Sequence, residues 1–79
     1  MKIEIYGRKV PYCQYCEGAK NFLDIKNLPY DFLDITENPE NRTIMFQRAP
    51  VGITTVPQIF IDSNYVGGFK QLQEYFTDK

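Results

Sequence analysis

The spacing of apolar residues predicts two strands with a helix between them in the first half of the chain. Residues 2–6 place Ile3 and Ile5 on one face and more polar residues on the other, which is the period-two pattern of a half-buried strand. Apolar residues recur at spacings of three and four over residues 13–26, which predicts a helix. Residues 30–35 are mostly apolar again and predict a second strand.

A second helix is predicted after the second strand. Asn38 suits the N-cap and Pro39 the first helical position. The helix contains Ile44 and Met45, and we expect it to end before Pro50, because the residue before a proline disfavours helical backbone.

The last third of the chain predicts a β-hairpin followed by a helix. Residues 58–61 and 64–66 are the strands, and the Asp-Ser pair at 62–63 is the turn between them. The Gly-Gly pair at 67–68 ends the second strand, and a final helix is predicted over residues 69–76. The apolar side of this helix consists of Phe69, Leu72, Tyr75 and Phe76.

The predicted order is therefore β-α-β-α-β-β-α, an α/β chain with a mixed sheet. The first β-α-β unit should form a parallel pair with a right-handed crossover, whereas the hairpin makes the other half antiparallel. The helices must cover the sheet, because its strands carry apolar residues on their faces. A chain of 79 residues has room for a single domain, over residues 1–79.

The composition excludes several classes of function. The formal net charge is −1 with both signs interspersed, so neither a nucleic-acid surface nor a polybasic membrane surface is indicated. The absence of histidine excludes Ser-His-Asp and Cys-His catalysis and His-ligated zinc. The N-terminus is too short and too charged for a signal sequence, so we expect a cytoplasmic protein. Five aromatic residues are expected in the core rather than in a site: Tyr6, Tyr30, Phe32, Phe46 and Phe60.

The two cysteines, Cys13 and Cys16, carry the most distinctive chemistry. Three residues apart on a helix, they lie on the same face. Free N–H groups and the positive end of the helix dipole stabilise a thiolate at a helix start and lower the pKa of a cysteine there. We therefore expect Cys13, nearer the open turn, to attack a disulfide and Cys16 to resolve the mixed disulfide.

Two other interpretations of the cysteine pair are less well supported by the sequence. A zinc site needs four ligands, and one chain with two cysteines and no histidine does not supply them. A structural bridge would close a very short loop and would constrain the unfolded chain little. A Cys-x-x-Cys motif that opens a helix directly after a first strand is instead the context of a thioredoxin-like redox centre.

Four further segments are candidates for substrate binding. The Thr-Val-Pro segment at 55–57 is either a loop entering a strand or a cis-proline that exposes the preceding backbone to an extended substrate. The Gly-Gly pair at 67–68 either ends a strand or lets a ligand approach a helix N-terminus. Arg8 and Lys9 either steer an anion or are solvated loop charges. Tyr15, between the cysteines, is expected to be exposed.

Taken together, these segments resemble the glutaredoxin family, and the resemblance covers nearly the whole chain. Its length and its ending are most similar to the bacteriophage-type glutaredoxins that reduce ribonucleotide reductase. Three departures are Gln14, where the common motif has proline, Gln71, where many members have aspartate, and the loop before Cys13, which is longer than usual. The matching segments are Ile5-Tyr6-Gly7-Arg8, Cys13-Gln14-Tyr15-Cys16 with Ala19-Lys20, Thr55-Val56-Pro57-Gln58-Ile59-Phe60 and Gly67-Gly68-Phe69.

The resemblance implies a thioredoxin fold with a four-stranded mixed sheet, and glutathione as the electron donor of a disulfide oxidoreductase. Cys13 would be the nucleophile and Cys16 the resolving thiol. Val56 would pair with the cysteinyl backbone of glutathione, Pro57 would be cis, and Gln71 would face the γ-glutamyl ammonium group. The full set of candidate glutathione contacts is Tyr15, Thr55, Val56, Pro57, Gly68, Phe69, Lys70 and Gln71, with Arg8 or Lys9.

Two alternative functions remain open at this point. One is a thioredoxin-like electron donor that a flavoprotein reductase recharges. The other is an iron–sulfur carrier, in which two chains would share a cluster through Cys13 and glutathione thiolates. Disulfide chemistry is favoured because Cys16 makes it available, so we expect a monomer that needs no metal.

Overall fold

The computed structural model describes residues 1–77 and has the predicted order of elements. Strands β1 and β2 are parallel, whereas β1–β3 and β3–β4 are antiparallel, so the sheet is mixed with the order β2-β1-β3-β4. No helix in the described residues is both long and apolar enough to span a membrane. The elements are β1 Ile3–Gly7, α1 Gln14–Ile25, β2 Asp31–Asp34, α2 Pro39–Arg48, β3 Gln58–Ile61, β4 Asn64–Gly67 and α3 Phe69–Thr77.

The main differences from the predicted boundaries lie on either side of the loop before the cysteines. Strand β1 includes Gly7, which pairs with Asp34 of β2, and Cys13 is the N-cap of α1 rather than its first helical residue. A side chain at position 7 would have no room. A Cβ atom there would lie 2.9 Å from Cys16 Sγ and 3.0 Å from the Phe32 ring. At the end of β1, the backbone of Gly7 therefore packs directly against Cys16.

The larger hydrophobic core lies between the sheet and the two helices α1 and α3. Burying apolar side chains of this size is worth roughly 1.5–3 kcal/mol each, so this layer supplies most of the stability. It fixes the start of α1 and the start of α3 against the same face of the sheet. The buried members are Ile3, Ile5, Ala19, Leu23, Ile59, Ile61 and Leu72, with Phe22, Phe32, Phe69, Tyr75 and Phe76 packed around them.

The opposite face of the sheet is covered by α2 through a smaller core. Its fully buried members are Tyr6, Met45 and Phe60. Arg48, in the last turn of α2, adds polar contacts to this layer. Its guanidinium donates to Tyr6 Oη at 2.9 Å and to a Glu4 carboxylate oxygen at 3.1 Å, and it lies 4.1 Å from the centroid of the Phe60 ring. The hydrogen bond to Glu4 is the main reason that the pKa of Arg48 is raised.

The prediction that Phe46 belongs to the core is wrong, since 40 % of this residue is exposed. Its neighbour Met45 is fully buried instead. A helix that covers a sheet with one narrow stripe buries only one of three consecutive residues. The other four aromatic residues behave as predicted: Tyr6 and Phe60 are buried, and Tyr30 and Phe32 pack partly buried against the larger core.

Asp34 holds the turn that leads from β2 into α2. Its carboxylate accepts from the backbone N–H groups of Thr36 and Glu37, both at 2.9 Å. The bond from the Glu37 N–H is the main reason that the pKa of the Asp34 carboxyl lies below its ordinary value of 3.8. A carboxyl whose pKa is lower in the folded than in the unfolded protein stabilises the fold at pH values above its ordinary pKa. This stabilisation is lost as the pH falls through the lowered pKa of the folded state.

We therefore expect Asp34→Asn to flatten the acid limb of the stability profile. Unfolding in urea at a series of pH values between about 6 and 2 measures this. The difference in unfolding free energy between wild type and variant should be largest near pH 6 and should shrink below about pH 4. A difference that is constant over the whole range would contradict this assignment.

Candidate active site around Cys13 and Cys16

Cys13 and Cys16 form a disulfide at the N-terminus of α1. Cys13 Sγ also accepts from the backbone N–H of Cys16, at 3.2 Å, so the sulfur itself caps the helix. Cys13 is 6 % exposed and Cys16 is completely buried. Cys13 thus keeps a small exposed area whereas Cys16 has none, and Cys13 Sγ lies where free helix N–H groups stabilise negative charge. The roles of the two thiols stay a prediction.

The segment before β3 presents free backbone beside the motif. The Val56–Pro57 bond is cis, as the family resemblance implied, and Val10–Pro11 is a second cis bond. Within residues 1–77 the N–H and C=O of Val56 make no hydrogen bond. They are therefore available to an extended ligand that adds alongside as a strand does.

A buried glutamine holds this segment in place. Gln58, at the start of β3, is 3 % exposed. Its Nε2 donates to the Thr55 carbonyl at 2.9 Å, and its Oε1 accepts from the Tyr65 hydroxyl at 2.6 Å. Neither Gln58 nor Tyr65 was predicted as a site residue. The sequence does show a polar group at each position, in adjacent predicted strands. It does not show that the two share a face, because that depends on the register of the hairpin.

A groove of about 880 Å³ runs from Tyr15 past this segment to the start of α3. Tyr15 is 61 % exposed, as predicted. The structure brings together eight of the ten predicted contacts along this groove: Tyr15, Thr55, Val56, Pro57, Gly68, Phe69, Lys70 and Gln71. Residues that also line it, and that were not among the predicted contacts, are Ile53, Gln58, Tyr65, Val66, Gly67 and Gln73.

The two basic residues before the motif do not line this groove. Arg8 donates through Nε to the Pro11 carbonyl at 3.2 Å and lines a second, smaller groove instead. Lys9 Nζ lies 6.0 Å from the centroid of the Phe32 ring. Lys70 is the only charged residue among the described residues that line the larger groove.

The start of α3 is capped by its own side chain. Gln71 Oε1 accepts from the Gly68 N–H at 2.9 Å, which is the reciprocal half of a capping box. A negative group that binds at this helix start therefore finds the Gly68 N–H already occupied. The next N–H groups, of Phe69 and Lys70, belong to the first turn and remain available in the helix.

The two ends of the groove are tied together through one aromatic side chain. The Phe69 ring lies on α1, so that a Cβ atom at Gly18 would come within 3.0 Å of it. The same ring packs edge-on against Phe22, with centroids 6.4 Å apart. The start of α3 is therefore held at a fixed distance from the helix that begins at the cysteine pair.

The described part of the chain contains no cluster of potential metal ligands. No group of three or more histidine, cysteine, aspartate or glutamate side chains is placed to hold an ion there.

Comparison with known proteins gives one consistent result. The model of the glutaredoxin family matches residues 3–66, which include both cysteines and residues 55–57. The chain is 33 % identical to the glutaredoxin of Enterobacteria phage T4, over 95 % of this chain and 97 % of that one. It is 41 % identical to glutaredoxin 3 of Escherichia coli, over 89 % and 80 % of the two chains. Among solved structures, glutaredoxin 1 from Francisella tularensis superposes with a TM-score of 0.75 at 32 % identity, over 99 % and 98 % of the chains.

Proposed function

This chain belongs to the glutaredoxin family and is a disulfide oxidoreductase, and on that premise we propose that glutathione is its electron donor. Its substrates are then protein disulfides and mixed disulfides of proteins with glutathione. Ribonucleotide reductase is the protein substrate that the likeness to the phage-type members suggests. The observation that carries the proposal is the groove of about 880 Å³ that begins at Tyr15, between the two cysteines in sequence.

The proposed cycle moves two electrons from glutathione to the substrate. The Cys13 thiolate attacks one sulfur of the substrate disulfide, and the other sulfur leaves as a thiolate and takes up a proton. The Cys16 thiolate then attacks Cys13 Sγ, which forms the Cys13–Cys16 disulfide and releases the second substrate thiol. One glutathione thiolate reopens this disulfide at Cys13, and a second one attacks the bound glutathione sulfur. The products are glutathione disulfide and the reduced enzyme.

The groove offers partners for two parts of glutathione. The free N–H and C=O of Val56 suit the backbone of its cysteinyl residue, next to the sulfur that must reach Cys13. The first turn of α3 suits a carboxylate, because helix N-termini favour negative charge. Lys70 adds a positive charge on the same side. A volume of about 880 Å³ lies within the range of about 300–1,000 Å³ that is typical of small-ligand sites.

Coupled reduction assays test the choice of electron donor. The protein is given a mixed disulfide substrate, with either glutathione and glutathione reductase or a flavoprotein thioredoxin reductase, and NADPH consumption is followed. We expect turnover with the glutathione system and none with the thioredoxin reductase. Turnover only with the thioredoxin reductase would overturn the proposed donor and would support the thioredoxin-like alternative.

The isosteric variant Gln71→Glu tests the contact with the γ-glutamyl end. Glutamate keeps the length that reaches the Gly68 N–H and adds a negative charge that faces the ammonium group of glutathione. A charge-assisted hydrogen bond is about twice as strong as a neutral one, a gain on the order of 1 kcal/mol or about fivefold in affinity. We expect a KM for glutathione lower by about that factor, with a smaller effect at high salt.

Steady-state kinetics at two salt concentrations measure this effect. Gln47→Glu, at an exposed position of α2 outside the groove, is the matched control for added charge. An unchanged or higher KM for Gln71→Glu would mean that position 71 does not meet the ammonium group.

A further inference from the structure

The hydroxyl group of Tyr65, on the edge strand β4, begins a chain of hydrogen bonds that ends at the backbone just before Val56. It donates to Gln58 Oε1 at 2.6 Å. Gln58 Nε2 in turn donates to the Thr55 carbonyl at 2.9 Å and to Thr55 Oγ1 at 3.3 Å. Because Gln58 is 3 % exposed, these bonds take the place of hydrogen bonds to water. Strand β4 is thus connected, through β3, to the segment that presents free backbone to a ligand.

The direction of each bond in this chain is fixed by the Thr55 carbonyl, which can only accept. The Gln58 amide must therefore turn its NH₂ group towards Thr55 and its oxygen towards Tyr65. An amide oxygen also only accepts, so the Tyr65 hydroxyl must be the donor. Partial burial raises the pKa of Tyr65 above its ordinary value of 10.0, so the hydroxyl keeps its proton at neutral pH. The hydroxyl thereby favours one of the two orientations of the amide.

A fixed Thr55 carbonyl also fixes the direction of the Val56 N–H. The two groups belong to one planar peptide unit, and the bond between Thr55 and Val56 is trans, so they point in opposite directions. The Val56 N–H makes no hydrogen bond within residues 1–77 and is available to an extended ligand. If the Gln58 amide lost its orientation, this peptide unit would be free to rotate, and the N–H would no longer point in one direction.

The Tyr65 ring is held in place independently of its hydroxyl group. Tyr65 pairs with Phe60 across the hairpin, and their ring centroids lie 5.4 Å apart. Gln58 and Phe60 are two residues apart on β3 and therefore share a face of the sheet, so Tyr65 reaches the amide diagonally. Removing the hydroxyl alone leaves this packing intact.

We propose that Tyr65 is a positioning residue for ligand binding, whose hydroxyl orients the Gln58 amide and, through it, the peptide unit that carries the Val56 N–H. The proposal rests on the proposed binding of glutathione along Val56, and it adds a residue that acts on affinity through Gln58. Tyr65 also lines the groove. A direct contact between its hydroxyl and the ligand is therefore the explanation that the experiment has to separate from positioning.

The variant Tyr65→Phe tests the proposal, because it removes the hydroxyl and keeps the ring. We expect the KM for glutathione to rise about threefold with kcat nearly unchanged, since a binding contact kept through the reaction acts on KM. In the ligand-free protein, the ¹H–¹⁵N signal of Val56 should shift. Tyr30→Phe is the matched control, because it removes a hydroxyl that is bonded to Asp24 near the start of β2, at the end of the sheet away from the cysteines. It should leave KM, kcat and the Val56 signal as in the wild type.

A double-mutant cycle separates positioning from direct contact. Gln58→Met removes the amide but keeps a side chain of similar length, and should raise the KM for glutathione by about tenfold. If the Tyr65 hydroxyl acts through Gln58, adding Tyr65→Phe to this variant should raise the KM no further. A further threefold rise would show that the hydroxyl contacts the ligand directly, and would overturn the proposal. Circular dichroism shows whether each variant has folded.

Each remaining outcome decides a different point. A wild-type KM or an unshifted Val56 signal in Tyr65→Phe overturns the positioning role and leaves glutathione as the donor. If the wild type itself shows no turnover with glutathione, the proposed donor is wrong. The same variants are then compared in one turnover of the reduced protein with a disulfide peptide, whose backbone would pair with the same N–H. A rate constant about threefold lower in Tyr65→Phe supports the positioning role, and an unchanged one overturns it.

Discussion

Cys13→Ser is expected to abolish every disulfide exchange of this protein, whereas Cys16→Ser is expected to abolish only the reduction of protein disulfides. Cys13 is the sulfur at the open end of α1, and Cys16 is fully buried behind it. A buried thiol cannot replace the first attack, because the substrate sulfur does not reach it. Without Cys16, however, a second glutathione molecule can still resolve the mixed disulfide that forms on Cys13.

Two assays separate these outcomes. Reduction of a protein disulfide should fall to the uncatalysed rate in both variants. Removal of glutathione from a mixed disulfide should persist in Cys16→Ser alone, where a mixed disulfide with glutathione should be detectable by mass spectrometry. Normal turnover of Cys13→Ser, or loss of both reactions in Cys16→Ser, would mean that the two roles are wrongly assigned.

Gly7→Ala is expected to destabilise the protein and to displace the second cysteine. The new methyl group would lie 2.9 Å from Cys16 Sγ and 3.0 Å from the Phe32 ring. Contacts this short force neighbouring atoms to move, and overpacking of this kind costs about 1–3 kcal/mol. Because a domain of this size has only a few kcal/mol of stability, the midpoint of thermal unfolding should fall clearly. Reduction of protein disulfides should slow as well, since Cys16 no longer lies correctly behind Cys13.

A double-mutant cycle identifies the contact that is responsible. Gly7→Ala is introduced into the wild type and into Cys16→Ala, and each unfolding free energy is compared with that of its own parent. Removing Cys16 Sγ relieves the shorter contact, so the cost of Gly7→Ala should fall to about half in that background. An equal cost in both backgrounds would assign the effect to Phe32 instead.

The sequence predicted the order of the elements because each has a local signal. Strand β1 has alternation, α1 and α3 have apolar residues at helical spacing, and Asn38 and Pro39 open α2 as predicted. The error at Phe46 has a physical reason. Ile44, Met45 and Phe46 are consecutive and apolar, so their pattern contains no period. Which of them faces the sheet is decided by how α2 docks, through contacts such as those of Arg48.

The candidate site, like the fold, could be predicted where the signal is local and not where it depends on tertiary structure. Cys13, Cys16 and residues 55–57 stand in short motifs whose local chemistry is visible in the sequence. The place of Arg8 depends instead on the path of the loop before the cysteines. The bond between Gln71 and the Gly68 N–H depends on a rotamer. Gln58 reaches Thr55 and Tyr65 only after the hairpin has formed, so no local pattern shows that it supports the groove.

The unequal cores on the two faces of the sheet have a consequence for motion. Helix α2 is held by one fully buried residue, Met45, together with Ala49 just after it and the polar contacts of Arg48. Amide hydrogens open to solvent exchange through the cheapest local unfolding that exposes them. Those of α2 should therefore exchange with deuterium sooner than those of β1 and β3, which are released only when the larger core opens. The difference in exchange between α2 and these strands would measure how unevenly the two faces of the sheet are held.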